Sequence, residues 1–352
     1  MRRVAIVSVC QSDHRRAVPE LNEVEMVQPT IQGALDRVGA GIADIDFTCS
    51  GSSDYLAGQA FSFVMTLDAL GAWPPISESH VEMDGAWALY EAWLKIQAGH
   101  AETALVYGYS KASPGDLPRV LSRQLDPYYY APLWPDSVAM AGLQARAMID
   151  SGAITETEMA EIAHRSRTAA QANPHDQLRG SASVEELLAS EYISDPLRRH
   201  DCAPITDGAV AVVLAAEERA REWVERPAWL TGIDHRVDSH NFGARDITRA
   251  PSVALAAANA GVHDGPLQVA ELCAPFTHQE KILRNELSLA EGVDVNPSGG
   301  ALCANPIMGA GLIRIGEVAD RVMRGEVDRG VAHATSGHLL QQNLVAVLEG
   351  DR

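Results

Sequence analysis

Cysteine is scarce in this chain and basic side chains are outnumbered. Five cysteines, Cys10, Cys49, Cys202, Cys273 and Cys303, are spread over 352 residues. An odd, widely spaced set in apolar and strand-like surroundings argues against a disulfide framework and reads as the reduced thiols of a cytoplasmic enzyme. Lys and Arg number 28 against 47 Asp and Glu, a formal net charge of −19. That balance argues against general affinity for nucleic acid or anionic membranes, so any phosphate must be met by a local cluster. No apolar run approaches the ~20 residues that cross a bilayer. The opening MRRVAIVSV is too short for the apolar region of a secretory signal, and no membrane insertion is expected.

What is present is enough apolar material for more than one core. The chain is 46% hydrophobic, and at 352 residues it exceeds a single ordinary core, so two domains or two fused halves are expected. Val4 to Val9 is a β-branched run that reads as a buried strand. Glu23 to Val38 has helical spacing, with Pro29 expected to open its regular part. Ile45 to Cys49 reads as a strand closed by the turn Ser50 to Ser53, Gln59 to Leu70 as a helix, and Thr103 to Tyr107 as a strand. From Ser113 to about His200 the composition changes, with DPYYYAPLWPD (Asp126 to Asp136) followed by a polar helix, Glu156 to Asn173. This stretch reads as an insertion outside the sheet, of the kind that covers a ligand. Pro204 to Ala216 returns to the core as a strand after an Asp-Gly turn.

After Arg226 the order of elements repeats. Trp229 to Ile233 reads as a strand, Ser252 to Ala260 as a helix, Val269 to Cys273 as a strand and His278 to Leu289 as a helix. The glycine-rich Asn296 to Gly311 precedes a helix, Leu312 to Arg324, and two strands, Gly330 to Ala334 and Leu344 to Leu348. VGAGIADIDFTCS (Val38 to Ser50) matches NAGVHDGPLQVAELCA (Asn259 to Ala274), and glycine-bearing helix starts recur near Asp84 and Gly309. A duplicated α/β unit follows, with residues 1–219 as the first half, an insertion at about 113–200, and residues 220–352 as the second. The stretch Ser79 to Gly99 is apolar on every side of a helical wheel, as a helix sandwiched between two sheets must be. Glu82 and Asp84 stand at its N-terminal end, where unpaired amides favour carboxylates.

A duplicated unit with an insertion in its first half resembles the thiolase superfamily. PLRRHDCAPITDGAVAVVLAA (Pro196 to Ala216), VAELCAPFTHQE (Val269 to Glu280) and NPSGGALCANPIMGAG (Asn296 to Gly311) are similar to segments of sterol-carrier-protein-type thiolases. TSGHLLQQN (Thr335 to Asn343) and DPYYYAPLWPD are similar to the lipid-transfer-protein branch, whose better understood members are retro-aldolases acting on steroid side chains beside a small OB-fold, zinc-ribbon partner. The resemblance implies an α/β fold of the duplicated thiolase type, five layers in the order α-β-α-β-α with an inserted loop domain. It also implies an acyl-CoA thioester as ligand, coenzyme A being part of the substrate with no tightly bound cofactor or metal. A homodimer, or a heteromer with a thiolase-like homologue, is the expected assembly.

The same alignment puts Glu82 where thiolases carry their nucleophilic cysteine and Asn305 where they carry a histidine. Cys273 stands where an asparagine or histidine is expected, and HATSGH (His333 to His338) replaces the loop with the second cysteine. A carboxylate cannot readily carry an acyl group as a thiolate does. Three readings remain: a carbon–carbon lyase cleaving a 3-hydroxyacyl-CoA, a silent subunit of a heteromeric complex, or an acyltransferase with non-standard residues. For the lyase, Glu82 is the candidate base, to be raised in pKa by burial; Asn305 and a backbone amide near Gly337 are candidate donors to an enolate oxygen. His338 and one of Tyr128, Tyr129 and Tyr130 are candidate proton donors, and Arg165, Arg167 and Arg179 are candidates for the CoA phosphates. Each has a plainer reading: Glu82 as a helix cap, His333 and His338 as satisfied loop histidines, Cys273 and Cys303 as small buried hydrophobes, the tyrosines as packing under a lid, the arginines as solvated. The purified chain is expected to show no cysteine-dependent acyl transfer between CoA thioesters, measured by following CoA release with and without thiol-blocking reagent.

Overall fold

The computed structural model describes residues 2–57, 61–71, 73, 75–175 and 178–351. The first half runs β1 (Val4–Gln11), α1 (Glu23–Asp36), β2 (Phe47–Gly51), α2 (Asp54–Ala57), α3 (Ser62–Leu70), β3 (Ser77–Val81), α4 (Gly85–Gln97) and β4 (Thr103–Ser110). The insertion holds α5 (Leu117–Arg123), α6 (Ser137–Asp150), α7 (Glu156–Ala169), α8 (Val184–Leu188) and the small hairpin β5 (Tyr192–Ser194) and β6 (Leu197–Arg198). Then come β7 (Gly208–Ala216), α9 (Glu217–Trp223), β8 (Ala228–Val237), α10 (Pro251–Asn259), β9 (Val269–Leu272), α11 (Thr277–Glu286), β10 (Asp294–Val295), α12 (Ala310–Met323), β11 (Arg329–Ser336) and β12 (Gln342–Glu349).

Ten strands order as β10-β9-β11-β12-β8-β1-β7-β4-β2-β3. The pattern is the same in each half: β2 pairs parallel with β3 and β4, β9 parallel with β10 and β11, and the remaining pairs are antiparallel. A short ladder joins the halves, with Ala5 opposite Trp229 and Ile6 opposite Ala228. The central strands are buried on both faces, so their sequences are unbroken apolar runs whose alternate residues serve different layers. In β7, Val210, Val212, Leu214 and Ala216 face the inner core, while Ala209, Ala211, Val213 and Ala215 pack outward beneath α1. In β12, Leu344, Ala346 and Leu348 face inward, and Val345 and Val347 pack under α10 and α11. The helices α4 and α12 fill the inner layer, giving the α-β-α-β-α order. Among the described residues no helix is long and apolar enough to cross a membrane.

Several elements differ from the sequence reading. Helix α1 begins at an Asn22–Glu25 capping box and carries Pro29 inside it, because reciprocal capping offsets the one hydrogen bond that proline removes. Helix α3 starts at Ser62, and Gln59 and Ala60 lie outside the described residues. The stretch leading into α4 is first an edge strand, β3, whose polar sequence hid it. Helix α4 is not covered all round: Leu94 is 40% exposed, and Ala98 continues that open stripe beyond the helix.

The two inner helices meet at their N-termini through one carboxylate. Asp84 caps α4, its Oδ1 accepting from Ala86 N (2.8 Å), and the same side chain accepts from Gly311 N (2.8 Å) and Leu312 N (3.0 Å) of α12. Gly85 N donates to Met308 O at 2.8 Å. The approach is so close that a Cβ on Gly85 would lie 2.8 Å from Leu312, and one on Gly311 2.4 Å from the Ala334 Cβ. Only glycine permits it.

Buried histidines stand in the same layers. His333 on β11 is wholly buried, its Nε2 2.9 Å from Asn343 Oδ1, and burial pushes its pKa down to about 4. The unfolded chain, with an ordinary imidazole near 6.5, binds the extra proton between those values, so this histidine's contribution is present above pH 6.5 and lost as pH falls toward 4. A His333→Gln variant keeps a donor to Asn343 and lacks the titration. Between pH 7.5 and 4.5 wild type is expected to lose about 2 to 3 kcal/mol more unfolding free energy than the variant, read from urea denaturation at each pH.

Candidate functional site

The junction of α4 and α12 floors a cavity of about 380 Å³. Met83, Met308 and Ala310 come from the helix starts, Thr335 to Leu340 from the end of β11 and the loop after it, and Cys273, Pro275 and Phe276 from the turn after β9. The insertion supplies the roof: Leu117, Leu121 and Gln124 from α5 and its end, Ser137, Val138, Met140 and Ala141 from α6, and Cys202, Ala203 and Ile205 beyond them. The sequence reading passed over α6; its Asp136 cap, accepting from Ala139 N at 2.7 Å, was the available signal.

Five of the sequence-derived candidates line this one cavity: Glu82, Cys273, Asn305, Gly337 and His338. Glu82 is not the buried carboxylate that was expected. It follows β3 at the cavity mouth with 47% of its side chain exposed, its Oε1 accepts from Asp54 N at 2.8 Å, and its Oε2 lies 3.5 Å from His80 Nε2. Nor does it cap α4, which falls to Asp84. Asp84 is the buried group, and burial pushes it up to about 6 against the pull of its three amide donors and of Arg314. Asn305 sits in the glycine-rich turn, anchored through its backbone N–H to Thr206 Oγ1 at 3.1 Å, and lines the cavity.

His338 has a defined tautomer. Its Nε2 is 3.2 Å from Leu121 O, and because a carbonyl only accepts, Nε2 carries the hydrogen and Nδ1 keeps a lone pair. Burial lowers its pKa from the ordinary value, the Leu121 carbonyl pulls it up and His240 pulls it further down, so at neutral pH it is an acceptor and not the proton donor first expected. His333, from the same HATSGH stretch, lies in β11 and serves the core.

The thiols facing the cavity are held protonated. Burial pushes Cys273 up to about 12, with Asp84 nearby adding to the shift, and Cys202 likewise to about 12. Arg314 pulls the Cys273 thiol down and Arg199 the Cys202 thiol, but burial outweighs both, so neither becomes a thiolate.

The remaining candidates lie elsewhere. Tyr128 and Tyr129 are exposed at 82% and 73%, outside the cavity wall. Tyr130 stacks on Phe242 with ring centroids 3.9 Å apart and donates to Asn241 Oδ1, pinning the insertion to the β8–α10 connection. Arg165 donates to both oxygens of the buried Glu280 at 2.5 Å each, and Glu280 in turn accepts from Asn296 Nδ2 at 3.0 Å. Arg165 therefore braces the glycine-rich turn from behind. Arg179 donates to Asn173 O at 2.5 Å, and neither it nor Arg167 reaches the cavity wall.

No protein-family model matches the chain. An acetyl-CoA acetyltransferase of Methanothermobacter thermautotrophicus is 24% identical over 360 residues, covering 94% of this chain and 93% of that one. Human sterol carrier protein 2 is 27% identical over 194 residues, 52% of this chain and 34% of that protein. Among solved structures, an Ltp2-ChsH2 aldolase superposes with a TM-score of 0.82 at 19% identity, covering 99% of this chain and 98% of that one. Human mitochondrial 3-ketoacyl-CoA thiolase superposes with a TM-score of 0.80 at 16% identity over 100% and 99%. The chain therefore has the thiolase fold, with an acetyl-CoA acetyltransferase and sterol carrier protein 2 among its relatives.

Proposed function

We propose that the cavity binds an acyl-CoA thioester and that the chain cleaves a carbon–carbon bond of its 3-hydroxyacyl group by a retro-aldol reaction. The observation that carries this reading is the pairing, in one cavity, of proton acceptors and an amide donor with thiols that burial keeps protonated. A base, His338 Nδ1 or the Glu82 carboxylate, takes the proton of the 3-hydroxyl. The bond between C2 and C3 then breaks, the carbonyl product leaves, and the electron pair passes into the enolate of the shortened thioester. The Asn305 amide and a backbone N–H near Gly337 donate to the enolate oxygen, and the proton held by the base returns to C2. No covalent intermediate is needed. The neighbouring aldolase fold supports the lyase assignment, and the names of the relatives support a CoA thioester as substrate. Leu117, Leu121, Val138, Met140 and Leu339 give the cavity an apolar wall suited to a bulky acyl group.

A silent subunit in a heteromeric complex is the second reading. It is favoured by the engagement of Arg165 and Arg179 within the protein, which leaves the CoA phosphates without those partners. The two-component name of the aldolase neighbour is in keeping with a partner here.

Asn305→Ala is expected to lower kcat for ketone release from a bulky 3-hydroxyacyl-CoA by about 10²-fold, the usual cost of an oxyanion donor, while Cys273→Ser changes it little. The rate should hold through neutrality and fall on the acid side, below the ordinary imidazole value, with that limb absent in His338→Gln; equal profiles would remove His338 from the chemistry. In the native protein at pH 8, iodoacetamide should alkylate Cys202 and Cys273 about 10³-fold more slowly than a free thiol, read by mass spectrometry, because so little thiolate is present. Rapid labelling of Cys273 would reopen the acyl-transfer reading.

A further inference from the structure

Between β8 and α10 the chain places a half-buried cation, Arg245, which the Asp238 charge favours but which forms no ion pair among the described residues. Arg245 donates from Nη2 to two consecutive carbonyls of the β11–β12 loop, His338 O at 3.2 Å and Leu339 O at 3.1 Å. Its Nε and Nη1 are buried with no hydrogen-bond partner among the described residues. Leaving two donors of a cation unmet in this way is costly, and such costs gather at sites where a geometry is being held. The geometry here is itself unfavourable: Leu339 and Leu340 have φ of 57° and 59°, two successive non-glycine residues in the left-handed region, separated by His338 alone from Gly337 at 73°. Each such residue is costlier there than in the right-handed region, because its Cβ crowds the following carbonyl oxygen.

The turn is held from several sides. Asn343 Nδ2 donates to Leu340 O at 2.8 Å, Asp238 N donates to Gln341 O at 2.7 Å, and Arg245 takes the two carbonyls just before them. Tyr130 and Phe242 fix the segment from which Arg245 reaches, and Leu339 packs with both in one apolar cluster.

From this we infer that Arg245 is a positioning residue: it clamps the left-handed turn and thereby aims His338 into the cavity and sets the Leu339–Leu340 stretch of its wall. It acts through the loop and touches no reacting atom. The inference takes from the proposed function only that His338 faces the substrate.

The test compares wild type, Arg245→Met and Arg245→Lys. The first readout needs no activity: long-range ¹⁵N–¹H correlation of the histidine rings, the His338 signals being identified by their loss in His338→Gln. Wild type should show His338 as a fixed Nε2–H tautomer. Arg245→Met should show averaged or shifted His338 nitrogens with the buried His333 signals unmoved, and Arg245→Lys should restore part of the wild-type pattern. The second readout is lyase turnover, expected to fall 10- to 100-fold in Arg245→Met with kcat more affected than KM, and to recover in part with lysine. A His338 pattern identical in all three proteins overturns the inference. If the pattern depends on Arg245 while no variant, wild type included, cleaves any 3-hydroxyacyl thioester, the clamp stands and the lyase assignment falls.

Discussion

A single carboxylate holds the middle of this molecule together. Asp84 accepts from the amides of both inner helices at the point where they converge, so one buried charge answers two sets of unpaired N–H groups and two helix dipoles of the same sign. Without it, two positive helix ends would face each other in a dry interior. With it, α4 and α12 start side by side, and every wall of the cavity can be placed relative to that pair. The glycines at the junction follow from the same demand, since Gly85 and Gly311 leave room for the backbones to approach.

The cavity is assembled from parts far apart in sequence. Glu82 comes from the end of an edge strand, Asn305 from the glycine-rich turn before α12, and His338 from a loop between antiparallel strands. Each is secured by an interaction behind it. The Asn305 backbone leans on Thr206, the glycine-rich turn on Asn296, Glu280 and Arg165, and His338 on the Leu121 carbonyl of the insertion. The insertion is thus both the roof of the cavity and the partner that selects the His338 tautomer. That coupling is why the histidine is better suited to accepting a proton than to giving one.

Much of the architecture was legible because the strands at the centre are buried on both faces. Burial of that kind demands unbroken β-branched and small apolar runs, and Val4 to Val9 and Gly208 to Ala216 are such runs. The repeat was visible in Val38 to Ser50 and Asn259 to Ala274, where a left-handed glycine, a short 3₁₀ turn and a strand recur in the same order. Less legible were β3 and β10, an edge strand and a two-residue strand whose composition carries no apolar alternation, and α6, whose pattern was masked by the aromatic run before it.

The sequence by itself determined the doubled α/β layout, the buried helix pair and the absence of a thiol at the head of α4, because these depend on local periodicity and residue identity. It also singled out five residues that come to share one cavity. Only the tertiary structure decided that Asp84 is buried while Glu82 stands at the mouth, that Arg165 braces a turn, and that His338 presents Nδ1. Burial and hydrogen-bond partners arise from elements hundreds of residues apart in the chain, and neither spacing nor composition records which of two neighbouring carboxylates will be enclosed.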